Sequence, residues 1–110
     1  MRIIKFVVDN DKIRKDPDSD FSNLSKNPSV QAQFSFSKEW DGFIKVIGFR
    51  RGNKELEPRI LSRGTTCEIP LEALKGTFFR MHVLGKKGER RIITLPLLIN
   101  NNESNKGGKS

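Results

Sequence analysis

The fold of this chain is decided by residues 30–54, which read VQAQFSFSKEWDGFIKVIGFRRGNK. Small or apolar side chains alternate with polar ones over residues 30–36, and a period of two is typical of a strand with one face on a core. A second apolar run, residues 43–49, predicts another strand. The hexad SKEWDG between the two runs is rich in turn-forming residues and holds the single tryptophan, Trp40. We therefore expect two strands joined by a tight connection.

Trp40 lies at the corner between these two strands, where it either closes the end of a core or serves as a binding platform. We favour the core, because the burial of a large aromatic side chain contributes strongly to stability. The alternation of the other apolar runs points their side chains to the same interior. One core is thus expected to hold Phe34, Phe36, Trp40, Phe49, Phe79 and Leu95.

The rest of the chain shows the same strand character in short runs separated by turn signals. The predicted strands are residues 2–8, 30–36, 43–49, 54–61, 65–69, 77–84 and 90–99, with a helical turn at 70–75. Such a pattern predicts an all-β protein, an antiparallel β-sandwich of about seven strands with one short helical turn. Pro58 indicates an edge strand or a bulge, and Pro96 indicates a strand that runs along an edge for part of its length, because proline cannot donate to a ladder.

Three segments lack strand periodicity. Residues 9–29 are expected to form a long loop, which Ile13, Phe21 and Leu24 could pin to the body of the protein. Residues 85–88, GKKG, are expected to form the loop of a hairpin. The last eleven residues, 100–110, hold no apolar side chain, which predicts a flexible polar tail. The folded domain is therefore expected to span residues 1–99.

The phrase F-S-F-S-K-E-W-D-G-F-x-K-x-x-x-F, residues 34–49, resembles a recurrent pattern in small structural proteins of tailed bacteriophages of Gram-positive bacteria. It is most similar to the N-terminal, immunoglobulin-like domain of the baseplate upper protein family. The segment CEIPLEAL, residues 67–74, resembles the strand of that family that runs into a single helical turn. The resemblance covers roughly residues 30–99. Its core signature is carried by Phe34, Phe36, Trp40, Gly42 and Phe49.

This resemblance implies a virion structural or adaptor protein that docks to other phage structural proteins. It implies an immunoglobulin-like sandwich in a homo-oligomeric context, with trimers or hexamers as the expected arrangement. Baseplate or tail module, capsid decoration and head-fibre base all remain open as placements. We expect synthesis in the host bacterial cytoplasm, because the sequence shows no secretion leader and no stretch of 18 apolar residues for a membrane span.

The net charge of +8 is unevenly distributed along the chain. Residues 1–44 carry seven basic and seven acidic side chains, whereas residues 45–110 carry fourteen basic and six acidic ones. The excess indicates either an acidic partner or a basic protein kept soluble by its charge. The candidate partner-docking residues are Lys86, Lys87, Arg90 and Arg91. A candidate basic face consists of Lys45, Arg50, Arg51, Lys54, Arg59 and Arg63.

The basic face supports an alternative function, a phage-encoded protein that binds nucleic acid or a host factor during infection. Its cations would track phosphates, and Phe43 and Phe49 lie among them. Those two phenylalanines occupy core-facing positions in the alternation, however, and single-strand binders need exposed aromatic rings. We therefore prefer the structural interpretation.

The sequence offers no recognisable catalytic or metal site. His82 flanks Arg80 and has no carboxylate partner in the sequence pattern, and a lone strand cysteine, Cys67, is typically a small buried residue. One cysteine also excludes an internal disulfide. Asp16, Asp18 and Asp20 imitate the start of a calcium loop, but Phe21 and Asn27 replace its glycine and bidentate glutamate. We expect no enzyme activity, no metal and no cofactor.

Overall fold

The computed structural model describes residues 2–61 and 64–102, and these form two β-sheets that enclose one core. The strands are β1 Arg2–Asp9, β2 Lys12–Lys15, β3 Val30–Phe36, β4 Ile44–Arg51, β5 Lys54–Glu55, β6 Arg59–Leu61, β7 Thr66–Glu68, β8 Phe78–Lys87, β9 Arg90–Ile93 and β10 Leu97–Asn100. The one α-helix of these residues, α1, spans Leu71–Lys75, and 3-10 turns span Leu24–Lys26 and Lys38–Trp40. The predicted all-β sandwich with a short helical turn is confirmed.

The four-stranded sheet has the order β2-β1-β3-β7. Strand β1 runs antiparallel to β2 but parallel to β3, from Arg2 opposite Val30 to Val8 opposite Phe36. The prediction of a purely antiparallel sandwich is therefore wrong for one pair. A parallel pair needs a long crossover, and the segment between β1 and β3 provides it.

The six-stranded sheet has the order β10-β8-β4-β5, with β6 also paired to β4 and β9 also paired to β8. Its centre is the antiparallel pair of β4 and β8, from Ile44 opposite Lys86 to Arg50 opposite Arg80. The two strands predicted around Trp40 both exist, but they do not pair with each other. The turn at residues 37–43 carries the chain from the four-stranded sheet to the six-stranded one.

Trp40 fills the end of the core at this crossing. Its side chain is fully buried, and its Nε1–H donates a hydrogen bond of 2.9 Å to the carbonyl oxygen of Asn10. The Phe36 ring packs against the indole at a centroid distance of 5.5 Å. The expected core of Phe34, Trp40, Phe49 and Phe79 is confirmed, with Phe36 partly buried against it.

Leu95 was expected in this core, and that prediction is wrong because the side chain is 70% exposed. The chain leaves the ladder between β9 and β10, where Pro96 cannot continue the hydrogen bonding. Thr94 takes the inward position, and its hydroxyl oxygen accepts a 3.0 Å hydrogen bond from the Val83 amide. Leu95 then faces solvent, and its amide donates to the Asp11 carbonyl at 3.2 Å.

Both predicted edge strands are interrupted beside their prolines. Residues 54–61 form β5 and β6, separated by residues 56–58, and both pairs lie on the same side of β4. Residues 90–99 likewise divide into β9 and β10 along β8. The edge positions deduced from the prolines are correct, whereas the continuous strands are not, because Pro58 and Pro96 have no N–H to donate to the ladder.

The predicted hairpin loop at residues 85–88 is also wrong. Strand β8 continues to Lys87, which pairs with Arg90, so the turn consists of Gly88 and Glu89. Gly88 has φ 60°, the left-handed conformation that a two-residue hairpin turn requires. Three of the four residues predicted for the loop, Gly85, Lys86 and Lys87, therefore belong to the β8–β9 ladder.

The region of residues 9–29 is more ordered than a long loop. It contains β2, which forms a hairpin with β1, and Asn10 at the turn has φ 55°. Ile13, Phe21 and Leu24 are buried, which confirms that they hold this segment to the core.

The predicted boundary at residue 99 is too early. Asn100 belongs to β10, and Asn101 is fully buried. The Asn101 side-chain amide donates to the carbonyl oxygens of Ala73 at 2.7 Å and Gly76 at 3.1 Å. An asparagine joins the core here because it satisfies backbone carbonyls at the end of α1. The rest of the predicted tail, residues 103–110, lies outside the described residues.

Candidate docking surface

The side of the six-stranded sheet that faces away from the core, the outer face, is unusually apolar. Directly opposite residues on neighbouring strands project to the same side of a sheet. The cross-strand register therefore places four apolar side chains in one line across the outer face. This apolar row consists of Ile60 on β6, Val46 on β4, Leu84 on β8 and Ile93 on β9.

The two ends of the apolar row are highly exposed, whereas Val46 and Leu84 at its centre are partly buried. Ile60 is 67% exposed and Ile93 is 59% exposed. Eight large apolar side chains are exposed within residues 2–61 and 64–102, and six of them lie on or beside the outer face. These six are Ile44, Ile60, Phe78, Ile93, Leu95 and Leu98. Contiguous exposed apolar area of this kind marks an interaction surface more often than isolated exposed leucines do.

The corresponding side of the four-stranded sheet is largely polar. Its outward positions are occupied by Lys5, Asp9, Lys12, Arg14, Gln31, Gln33, Ser35, Thr66 and Glu68, with Ile3 and Val7 as the apolar exceptions. Alternation of apolar and polar residues is the rule for a sheet with one face in water. The four-stranded sheet follows this rule and the six-stranded sheet does not.

A cavity of about 540 Å³, the trough, lies on the outer face between the two interrupted edges. Leu56 and Pro58 line it from one edge, and Leu95 and Pro96 line it from the other. Gly48 and His82 lie opposite each other in the middle of the trough. The His82 ring lies directly over Gly48, where a Cβ atom would overlap it. The absence of a side chain at Gly48 therefore leaves the space that the imidazole of His82 occupies.

Cations border the outer face in pairs of like charge. Arg50 on β4 is directly opposite Arg80 on β8, and Lys86 on β8 is directly opposite Arg91 on β9. Like charges in directly opposite positions destabilise a sheet. Glu55 lies 3.9 Å from Arg50. In the part of the chain that the structure describes, the other three cations have no carboxylate within ion-pair distance.

The predicted docking residues are divided between the two sides of the β8–β9 hairpin. Lys86 and Arg91 project from the outer face, whereas Lys87 and Arg90 lie on the core side. There they cover the buried ring of Phe43, with the Lys87 Nζ 5.9 Å and the Arg90 guanidinium carbon 5.5 Å from its centroid. Only half of the predicted cluster therefore belongs to the candidate surface.

The six residues of the predicted basic face do not form one surface. Arg50 projects outward, Lys45 lies 4.9 Å from the centroid of the Phe36 ring, and Arg63 lies outside the described residues. The other three have acidic neighbours: Arg51 and Lys54 approach Glu72 at 4.0 and 3.8 Å, and Arg59 approaches Glu57 at 3.7 Å. Alternation along β4 puts Arg50 on one side of the sheet and Lys45 and Arg51 on the other, whereas Lys54 and Arg59 lie on β5 and β6.

The sequence interpretation missed the apolar row, although it contained a signal. Ile44 and Val46 are apolar at positions that alternate with the buried Ile47 and Phe49. A strand that is apolar on both faces is either central or covered by a second surface. Phe43 and Phe49 are buried, as their alternation predicted, and therefore provide no stacking surface.

Cys67 is the residue whose pKa departs most from its ordinary value among the described residues. Burial raises the pKa of the Cys67 thiol to about 11, and Arg59 opposes this shift. A raised thiol pKa disfavours the reactive thiolate near neutral pH. Over residues 2–61 and 64–102, no three metal-binding side chains cluster to form a cation site.

None of the helices in the described ranges is long and apolar enough to cross a bilayer. Comparisons with models of protein families, with curated proteins and with solved structures find no match to this chain.

Proposed function

We propose that this protein is a non-enzymatic bacteriophage virion structural or adaptor protein that acts by docking to another protein. The observation that carries the docking function is the outer face of the six-stranded sheet, apolar at its centre and bordered by like-charge cation pairs. The polar side of the four-stranded sheet provides the internal contrast. The free energy of the system falls when a partner removes apolar surface of this kind from water.

The virion assignment rests on the resemblance of residues 34–49 and 67–74 to the immunoglobulin-like domain of the baseplate upper protein family. The placements are a baseplate or tail module, a capsid decoration and a head-fibre base. In each of them, copies of the protein are arranged in threes or sixes on other phage structural proteins. Closed symmetric rings are the usual arrangement of identical subunits in such assemblies.

Binding to nucleic acid is less well supported. The cations of the predicted basic face project in different directions, and four of them have acidic neighbours. A phosphate backbone would leave the apolar row exposed to water. The outer face fits a protein partner better because such an interface buries both an apolar centre and a charged border.

Quantitative mass spectrometry of purified phage particles tests the proposal. We expect the protein to be present at a fixed copy number per particle that is a multiple of three or six. Abundant protein in the lysate of infected cells together with its absence from purified particles would refute the virion assignment.

A further inference from the structure

We infer that the outer face binds a segment of a partner protein that has apolar side chains bordered by carboxylates. This inference rests on the proposed docking function and names the chemistry of the partner. The segment seats its apolar side chains in the trough and on the apolar row. Its carboxylates lie beside the pairs Arg50–Arg80 and Lys86–Arg91.

The shape of the outer face restricts what it can accommodate. The trough of about 540 Å³ lies within the size range of protein pockets that bury a drug-sized ligand, which is enough space for a few apolar side chains. It is an open depression along the sheet between the breaks at Pro58 and Pro96. The apolar row continues across four strands, so the contact extends beyond the trough itself. A chain segment fits this geometry better than a compact small molecule.

The cations at the border of the outer face determine that the partner segment carries negative charge. Two like-charge pairs lie on opposite sides of the apolar row, and among the described residues only Glu55 lies within ion-pair distance of any of these four cations, at 3.9 Å from Arg50. A carboxylate placed between Arg50 and Arg80, or between Lys86 and Arg91, replaces repulsion with charge-assisted hydrogen bonds. Complementary charges at the border of an interface also accelerate association and exclude partners of the wrong sign.

A second copy of this chain fits the same face poorly. A two-fold dimer through one face brings the same patch of each subunit together. The four border cations of one copy would then approach the four border cations of the other. With a net charge of +8 on each chain, this contact is electrostatically unfavourable.

The test uses the full chain and two synthetic amphipathic peptides with identical leucine positions. One peptide carries glutamates and the other carries lysines at the remaining positions. Amide chemical shifts of the isotope-labelled protein report binding during titration to about 1 mM peptide. We expect the glutamate peptide to shift the signals of Val46, Gly48, His82 and Leu84, and to bind at least tenfold more tightly than the lysine peptide.

Two variants separate the charge from the apolar contact. Arg80→Glu should reduce the preference for the glutamate peptide at least tenfold, whereas Arg14→Glu, on the outward side of the four-stranded sheet, should leave it unchanged. Ile93→Ser should weaken both peptides, and a well-dispersed spectrum verifies that each variant is folded. Ile93 is suitable because it is exposed, so its replacement removes little from the core.

Several results would overturn the inference. Equal binding of the two peptides, no shifts at the highest concentration, or shifts confined to another surface each contradict it. If the protein forms a dimer and Ile93→Ser abolishes it, the outer face binds a second copy of the chain. If a DNA duplex competes with the peptide and shifts the same amide signals, the outer face binds nucleic acid. These results are independent of the copy number in particles, so failure of the inference is distinguishable from failure of the virion assignment.

Discussion

Gly85→Ala is the substitution whose effect follows most directly from the geometry of the core. A Cβ atom at Gly85 would lie 2.6 Å from Cζ3 and 2.9 Å from Cε3 of Trp40, and 3.2 Å from Cδ2 of Phe43. Carbon atoms in favourable contact are about 3.5–4.0 Å apart. Trp40 is fully buried and held by its hydrogen bond to the Asn10 carbonyl, so the indole cannot withdraw without loss of that bond. The strand or the ring must shift.

The change in the free energy of unfolding caused by Gly85→Ala is the sum of two opposing contributions. Overpacking a well-filled core costs about 1–3 kcal/mol. Replacing glycine with alanine also restricts the unfolded chain, which returns about 0.4–1 kcal/mol where the backbone conformation suits alanine. Gly85 does not have a positive φ, so this gain applies. A net loss of about 1–2 kcal/mol should lower the melting temperature by roughly 5–15 °C, given about 4–8 °C per kcal/mol for a small domain.

Gly48→Ala is the matched control, because Gly48 lies on the neighbouring strand and its Cβ atom would also meet a ring. That ring belongs to His82, which is half-exposed in the trough and can turn towards solvent. We expect a change within about 0.5 kcal/mol for this control. Urea unfolding followed by Trp40 fluorescence measures both variants. Equal stability of the two variants would refute the rigid packing of Trp40 on β8.

The remaining predictions concern the core, the thiol, nucleic acid and association. Trp40→Ala should lose about 3–5 kcal/mol, as large aromatic deletions in cores do, and near-parental melting would contradict the buried position. The free energy of unfolding should fall as the pH rises from 9.0 to about 11, because the Cys67 thiol loses its proton at lower pH in the unfolded chain than in the folded protein. For Cys67→Ala, the free energy of unfolding should fall less steeply over the same pH range. Identical slopes for the two proteins would refute the raised pKa. In gel shifts at physiological salt, duplex DNA should bind only non-specifically, with a Kd of about 10⁻⁴–10⁻⁶ M; a tight, sequence-selective complex would favour the nucleic-acid alternative. The isolated protein should sediment as a 12.6 kDa monomer, because we expect threes or sixes to assemble only on other phage proteins; a stable dimer through the outer face would contradict the repulsion argued for that face.

The sequence predicts strands well where alternation is clear. In β1, Ile4, Phe6 and Val8 face the core as their spacing indicates, and in β8 the same holds for Phe79 and Met81. The burial of Trp40 was predictable because a large aromatic side chain at the corner between two strands is stabilised most by packing into the core. Segment β2 was missed because KIRK contains a single apolar residue, Ile13, and its order depends on pairing with β1.

Pairing partners were not predictable from the same pattern. A period of two specifies which side chains share a face, but not which sheet the strand joins. The residues on either side of Trp40 therefore look like a hairpin, whereas the structure places β3 and β4 in different sheets. The parallel pairing of β1 with β3 is likewise decided by tertiary packing over a long separation.

The sequence predicted which cations lie near the candidate surface, but not which of them project from it. Lys86, Lys87, Arg90 and Arg91 are adjacent in sequence, but their division between two faces depends on the register of the hairpin. That register is fixed by the turn at Gly88 and Glu89. A turn placed at residues 85–88 removes Lys86 and Lys87 from the ladder, so the direction of each side chain could not be deduced.

The edges of the two sheets explain why association should proceed through a face. Edge strands invite pairing unless they are short, charged or interrupted. In the six-stranded sheet both edges are interrupted beside Pro58 and Pro96, and in the four-stranded sheet β2 and β7 have four and three residues. The Glu68 carbonyl on β7 is also occupied by the Arg59 side chain at 3.0 Å. Edge-to-edge rings are therefore disfavoured, and the outer face offers the larger apolar contact. If this face repels a copy of itself and binds an acidic partner, as we propose, the arrangement of subunits in a particle follows the symmetry of that partner.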